Sequence, residues 1–128
     1  MSNLRDLLPT TAERVIRYRE ALAEHRVQPE ADVERFRETF GGALPAAGVA
    51  PETVLDELVS AVEPALVASA GPRYFGFVVG RSLDAATCAD LLTTGWDQTA
   101  FNGVTSPAAA LVEEVVCACL KDVLGLAP

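Results

Sequence analysis

The chain has 128 residues, half of them hydrophobic by count, which suits one modest core and a single domain and excludes collagen-like or disordered chains. Its 18 acidic against 10 basic side chains, a formal net charge of −8, remove the attraction on which nucleic-acid and anionic-membrane binding rest, so neither partner is expected. No apolar run reaches spanning length and no basic n-region leads into an apolar h-region, so a transmembrane helix and a signal peptide are not expected and the cytoplasm is the expected compartment.

The charge is unevenly placed. From Met1 to Phe40 seven arginines nearly balance eight acids, whereas Gly41 to Ala70 holds four acids and no base. The first stretch reads as solvated helix surface and the remainder as more apolar.

Leu4, Leu8, Ala12, Val15 and Leu22 recur near helical spacing with Arg5, Asp6, Glu13, Arg14, Arg17 and Glu24 between them, which predicts an amphipathic helix. Pro9 belongs at a first turn or a kink, and the Thr10 to Glu13 capping-box spacing predicts that the regular part starts at Thr10. A second helix is predicted over Pro29 to Phe40, with Val33, Phe36 and Phe40 on one stripe and Gly41-Gly42 ending it. "GGALPAAGVAP" follows as a linker.

A third helix is predicted from Pro51 to about Ser69, with Val54, Leu55, Leu58, Val59, Val62 and Leu66 on one face and a bend at Pro64. "RYFGFVV", within Gly71 to Gly80, reads as a short extended segment. Ser82 is the expected N-cap of a helix over Leu83 to Thr94 ended by Gly95, and Ser106-Pro107 opens a last helix that Gly125 closes. Leu111, Val112, Val115, Val116, Cys119, Leu120 and Val123 form an apolar face too wide for the periphery of so small a protein. The final "LGLAP" has the form of a connection into a further element, and an interrupted chain is expected there.

Three cysteines, Cys88, Cys117 and Cys119, make no disulfide framework. Cys117 and Cys119 lie about 200° apart around a helix, so they neither bridge nor chelate together, and buried reduced thiols are the expectation. No His/Cys/Asp cluster has ligand spacing, and Gly-x-Ser-x-Gly and GxxxxGK motifs are absent, so no metal site and no catalytic residue is assigned. Glu113 and Glu114 lie about 100° apart on a helix, a poor arrangement for a shared acid-base pair.

"GPRYFGFVVGRSL", then "WDQTAFNGVTSPAAALVEEVV", then "LKDVLGLAP" together resemble the N-terminal portion of the pyridoxal-phosphate-dependent (group II) decarboxylases, which include aromatic-amino-acid, histidine and glutamate decarboxylases. The resemblance runs essentially end to end but covers only the beginning of such an enzyme. It implies a mostly α N-terminal fragment of an aspartate-aminotransferase-type (fold type I) enzyme: amphipathic N-terminal helices, the short extended segment and two further helices. Residues 1–70 would form a helical dimer-contact segment, and residues 71–128 would lead into an absent cofactor-binding domain. Partners implied are a second copy, as a homodimer, or a complementary or homologous decarboxylase chain.

The resemblance also implies substrate-binding residues. Phe77, Val78 and Gly80 match a segment beside the substrate pocket, and the segment Thr99 to Phe101 matches one that reaches into the neighbouring subunit's site, with Thr99 and Phe101 as its contacts. From the residues alone an aromatic-rich strand is ordinary packing; an extended run can also pack one face and line a pocket with the other. Gly80 leaves no side chain where some family members offer a hydroxyl, Arg81 replaces a frequent small residue, and Asp84 stands where a proline is usual. Thr99 replaces an asparagine common in bacterial members.

Pyridoxal phosphate serves the intact family enzyme through a lysine amine, an acid near the pyridinium nitrogen and a phosphate cradle. The sole lysine, Lys121, falls in a last helical turn, where a cation meets the dipole favourably, and the lone His25 reads as a capping or surface residue. No cofactor-binding residue is therefore assigned, no cofactor is expected for this chain alone, and its expected contribution to carboxy-lyase chemistry is dimer contact plus part of a pocket wall. The alternative from a different class is a non-catalytic helical interaction or dimerisation module.

Overall fold

In the computed structural model residues 3–29 and 32–126 are described. The architecture is helical, with no strand among the described residues, in agreement with the mostly α expectation. Five helices follow in order: α1 (Leu4–Glu20), α2 (Val33–Phe40), α3 (Pro51–Val62), α4 (Asp84–Trp96) and α5 (Pro107–Leu124). They fall into two compact units, Met1–Arg81 and Ser82–Pro128.

In the first unit α1 starts earlier than the Thr10 capping pattern predicts. Asn3 caps it, its side-chain oxygen accepting from the Arg5 amide at 2.9 Å while the Asp6 carboxylate accepts from the Asn3 amide at 3.2 Å. This reciprocal box satisfies orphan donors at the helix start. The hydroxyls of Thr10 and Thr11 instead donate back to the Leu7 carbonyl at 2.8 and 2.9 Å, so Pro9 lies inside the helix. A single 3₁₀ turn, Ala21–Ala23, ends the element and buries Leu22.

The α2 helix is shorter than the predicted Pro29 to Phe40. Asp32 takes the cap position, its Oδ1 accepting from the Arg35 amide at 3.0 Å, while residues 30 and 31 of the predicted span lie outside the described residues. The aromatic stripe is realised: the Phe36 and Phe40 rings lie 4.8 Å apart, tilted by 57°. The α3 helix stops at Val62 rather than bending and continuing to Ser69. Pro64 has no amide to donate, and the chain passes through a 3₁₀ turn, Glu63–Ala65, before Leu66 becomes extended.

The buried hydrophobic centre of this unit is small. Leu22 and Ala68 are 8% and 2% exposed, and Gly71 packs against both. A Cβ on Gly71 would stand 3.0 Å from the carbonyl oxygens of Leu22 and Ala68, a tight approach that favours glycine because a side chain would have to push this backbone aside by a few tenths of an ångström. Arg14 tethers α1 to α3, donating to the Leu55 carbonyl at 3.3 Å and pairing with the Asp56 carboxylate.

In the second unit α4 begins after Leu83 and runs through Gly95 to Trp96, where the sequence predicts Ser82 as cap and Gly95 as terminator. Its start has no side-chain cap bond, but Asp84 places negative charge in the first turn. Asp97, in the left-handed region at φ 46°, closes it, a conformation that aspartate tolerates better than most residues. The α5 helix matches expectation. Ser106 accepts from the Ala109 amide at 3.4 Å, Pro107 opens the first turn, and Gly125 adopts φ 63°. Its amide reaches the Asp122 carbonyl at 3.1 Å and the Leu126 amide reaches Lys121 at 2.9 Å, the paired bonds of a glycine-ended helix. Ala127 and Pro128 of the "LGLAP" ending lie outside the described residues.

Candidate functional site

The residues expected to line a pocket fall in both units. In the first unit the chain leaves the Leu22, Ala68 and Gly71 cluster in successive turns rather than in the extended form the sequence suggests. The Tyr74 amide reaches the Gly71 carbonyl at 3.4 Å and the Val79 amide reaches Gly76 at 3.2 Å. A lone strand has no neighbour to accept its backbone bonds, so local turn bonds take their place.

Phe77 and Val78 adopt φ 54° and 57°, a region that costs an L-residue on the order of 1–2 kcal/mol each. Both side chains stand clear of the protein, at 93% and 104% exposure, and Gly80 is exposed with nothing near its Cα face. Upstream the segment is held: Tyr74 is half-buried, and Arg73 donates to the His25 carbonyl. Arg73 is a positioning group that the sequence reading missed, although its place beside Pro72 in a glycine-bounded turn is where an anchoring side chain helps most.

In the second unit Thr99 and Phe101 lie on the loop between α4 and α5. Phe101 is 84% exposed, and the Thr99 carbonyl accepts from the Thr105 hydroxyl at 2.9 Å. Asn102 organises this loop. Its Oδ1 accepts from the amides of Val104 and Thr105 at 2.9 and 3.0 Å, and its carbonyl accepts from the Ser106 amide at 3.0 Å. The sequence signal was the Asn-Gly pair at Asn102-Gly103, a turn dipeptide followed directly by the α5 cap. Ser106, 1% exposed, is the buried end of this arrangement.

His25 is half-buried, its ring edge-on to Tyr18 with centroids 5.0 Å apart. Burial, assisted by the charge of Glu63, pushes the Tyr18 hydroxyl pKa above its ordinary value. His25 also lines an open groove of about 510 Å³ with Arg26, Gln28, Val59, Glu63 and Pro64. A second groove of about 320 Å³ lies between α2 and α3, walled by Val33, Phe36, Ala61, Pro64 and Ala65.

The thiols correct the sequence reading. Cys88, Cys117 and Cys119 are exposed rather than buried, because among the described residues no layer covers these parts of α4 and α5. The same absence leaves Leu111, Val112, Val115, Val116, Leu120 and Val123 of α5 exposed, so this wide apolar face is not covered by the described residues. No helix among the described residues is long and apolar enough to cross a membrane.

No protein-family model matches the chain. Among curated proteins it is 31% identical over 75 residues to tyrosine decarboxylase 1 of Narcissus pseudonarcissus, covering 59% of this chain and 15% of that protein. It is 25% identical over 109 residues to tyrosine/DOPA decarboxylase 1 of Papaver somniferum, covering 85% of this chain and 21% of that one. A phenylacetaldehyde synthase of a Rosa hybrid cultivar is 32% identical over 74 residues, covering 58% and 15%. The crystal structure of Oryza sativa TDC with PLP and tryptamine superimposes with a TM-score of 0.84 at 22% identity, over 97% of this chain and 26% of that one. The motif resemblance is thus met by sequence relatives that include tyrosine and tyrosine/DOPA decarboxylases, and the chain takes the fold of part of the Oryza sativa TDC structure while spanning 15 to 21% of these three curated relatives.

Proposed function

We propose that this chain is a portion of a pyridoxal-phosphate-dependent amino-acid decarboxylase, a cytoplasmic carboxy-lyase, that supplies dimer contacts and part of a substrate-pocket wall and does not catalyse alone. The observation that carries the reading is the likeness to tyrosine and tyrosine/DOPA decarboxylases, and the exposure of whole apolar faces adds the expectation of a covering partner. Patches of this extent on a soluble protein mark surfaces that another protein covers. Phe77, Val78 and Gly80 on one unit, and Thr99 and Phe101 on the other, are the proposed wall residues.

The residues present do not fit the covalent cofactor. Lys121, the only lysine in the sequence, is exposed in the last turn of α5, and neither groove of the first unit contains a lysine. A Schiff base needs an amine enclosed and oriented beside the acceptor aldehyde, so that group belongs to another polypeptide segment in this proposal. The partner is a second copy or a complementary decarboxylase chain.

The test is to purify the chain, add pyridoxal phosphate and treat with borohydride. The expected result is no trapped adduct at Lys121 and no amino-acid-dependent CO2 release. A cofactor band surviving dialysis, with turnover at an ordinary enzymatic rate, would overturn the proposal.

The exposed apolar faces equally favour a non-catalytic helical interaction module. Sedimentation alone, and then with an intact homologous decarboxylase or a chain carrying the lysine-bearing domain, separates the two readings. CO2 release on mixing with the latter supports the divided enzyme; association without activity supports the module; a stable, clean monomer in every mixture counts against both.

A further inference from the structure

The turn from Gly76 to Val79 holds two bulky, solvent-exposed side chains in a conformation they disfavour. Positive φ at both Phe77 and Val78, closed by the Val79 to Gly76 bond, is the pattern of a primed hairpin turn, which Asn and Gly fill readily. Strain of this kind persists where surrounding contacts over-determine it. Here the two side chains meet only solvent. The intrinsic preference of aromatic and β-branched residues is the extended region. Upstream, Gly71 is buried and Arg73 is tied to His25, so the chain that enters Gly76 is held in place.

We infer that Gly76–Val79 is a two-state hinge that exchanges between the observed turn and an extended form. The turn keeps one backbone bond. Rotating Phe77 and Val78 to negative φ breaks it and relieves both left-handed residues. In the extended form the side chains of Phe77 and Val79 point to one side and that of Val78 to the other. Covering one side with protein favours extension, because that side then buries apolar surface the turn leaves in water. The proposed pocket wall is the extended state; this last link rests on the functional reading above, whereas the hinge itself does not.

Two locked variants of the full chain test it. Phe77→Asn combined with Val78→Gly supplies the residues a primed turn prefers. Val78→Pro holds φ near about −65° and pushes the preceding residue to the extended region. Both change exposed positions, and far-ultraviolet circular dichroism confirms retained helix. Amide and Cα chemical shifts of Phe75, Gly76 and Gly80 in the native chain are expected on the line between the two variants, with exchange broadening confined to this segment. Native shifts coinciding with either variant overturn the hinge. Failure of the CO2 complementation assay with native shifts still intermediate overturns the pocket reading and leaves the hinge standing.

Discussion

The two units differ in how much of their structure the chain itself secures. The first carries long-range ties: Arg14 to Leu55 and Asp56, Arg73 to His25, and the Leu22, Ala68 and Gly71 cluster. In the second, the helix ends and the Asn102 loop carry local hydrogen bonds, and Ser106 is buried. Local bonds of this kind leave a helix marginal in water until an apolar face is packed. The comparison teaches that the second unit, with its uncovered α5 face, secures its helices less well than the first does.

Leu22→Ala is the strongest test of that contrast. Removing a buried leucine from so small a cluster is expected to cost about 2–3 kcal/mol. Hydrogen exchange in α1 and α3 should accelerate while α4 and α5 stay unchanged; equal acceleration in both would show one cooperative body and break the contrast.

Ser106→Ala probes the second unit. Loss of a helix cap typically costs about 1 kcal/mol, and here the hydroxyl is also buried. Exchange of the amides at the start of α5 should rise, with the first unit unaffected. A smaller effect is expected from Asp56→Asn. Arg14 and Asp56 remain substantially solvated, so their coupling in a double-mutant cycle should be about 0.5 kcal/mol and shrink in high salt.

The smallest expected effect is a pH slope. Tyr18 has a folded-state pKa raised above the ordinary tyrosine value by burial and then by Glu63, so the folded protein holds this proton more tightly than the unfolded chain does. Its stabilising contribution is complete below the unfolded value, near 10, and is lost as pH rises through the higher folded value. Unfolding of the native chain should therefore ease above about pH 10 relative to Tyr18→Phe. Parallel stability curves for the two proteins would remove Tyr18 from the account.

Legibility in the sequence followed the range of the interaction. The cap, proline and closing glycine of α5 lie on contiguous residues, and all three were readable. The start of α1 was misplaced because two capping patterns compete within a dozen residues, and the choice between Asn3 and Thr10 turns on where the Thr10 hydroxyl bonds. Pro64 announced an interruption without specifying whether the helix would bend or end. The pocket-wall residues came from resemblance, while Arg73 went unread because its partner, the His25 carbonyl, is distant in the chain; Asn102 binds only near neighbours, and its Asn-Gly pair was a signal the sequence did carry.

By itself the sequence determined the helical character, the acidic surface and the excess of apolar faces, since periodicity and charge are properties of neighbouring residues. Tertiary structure alone decided that Gly71 sits tight against two carbonyls, that the thiols lie open, and that Phe77 and Val78 turn rather than extend. Those outcomes depend on which atoms from distant positions are present to fill space and accept hydrogen bonds, and on which are not.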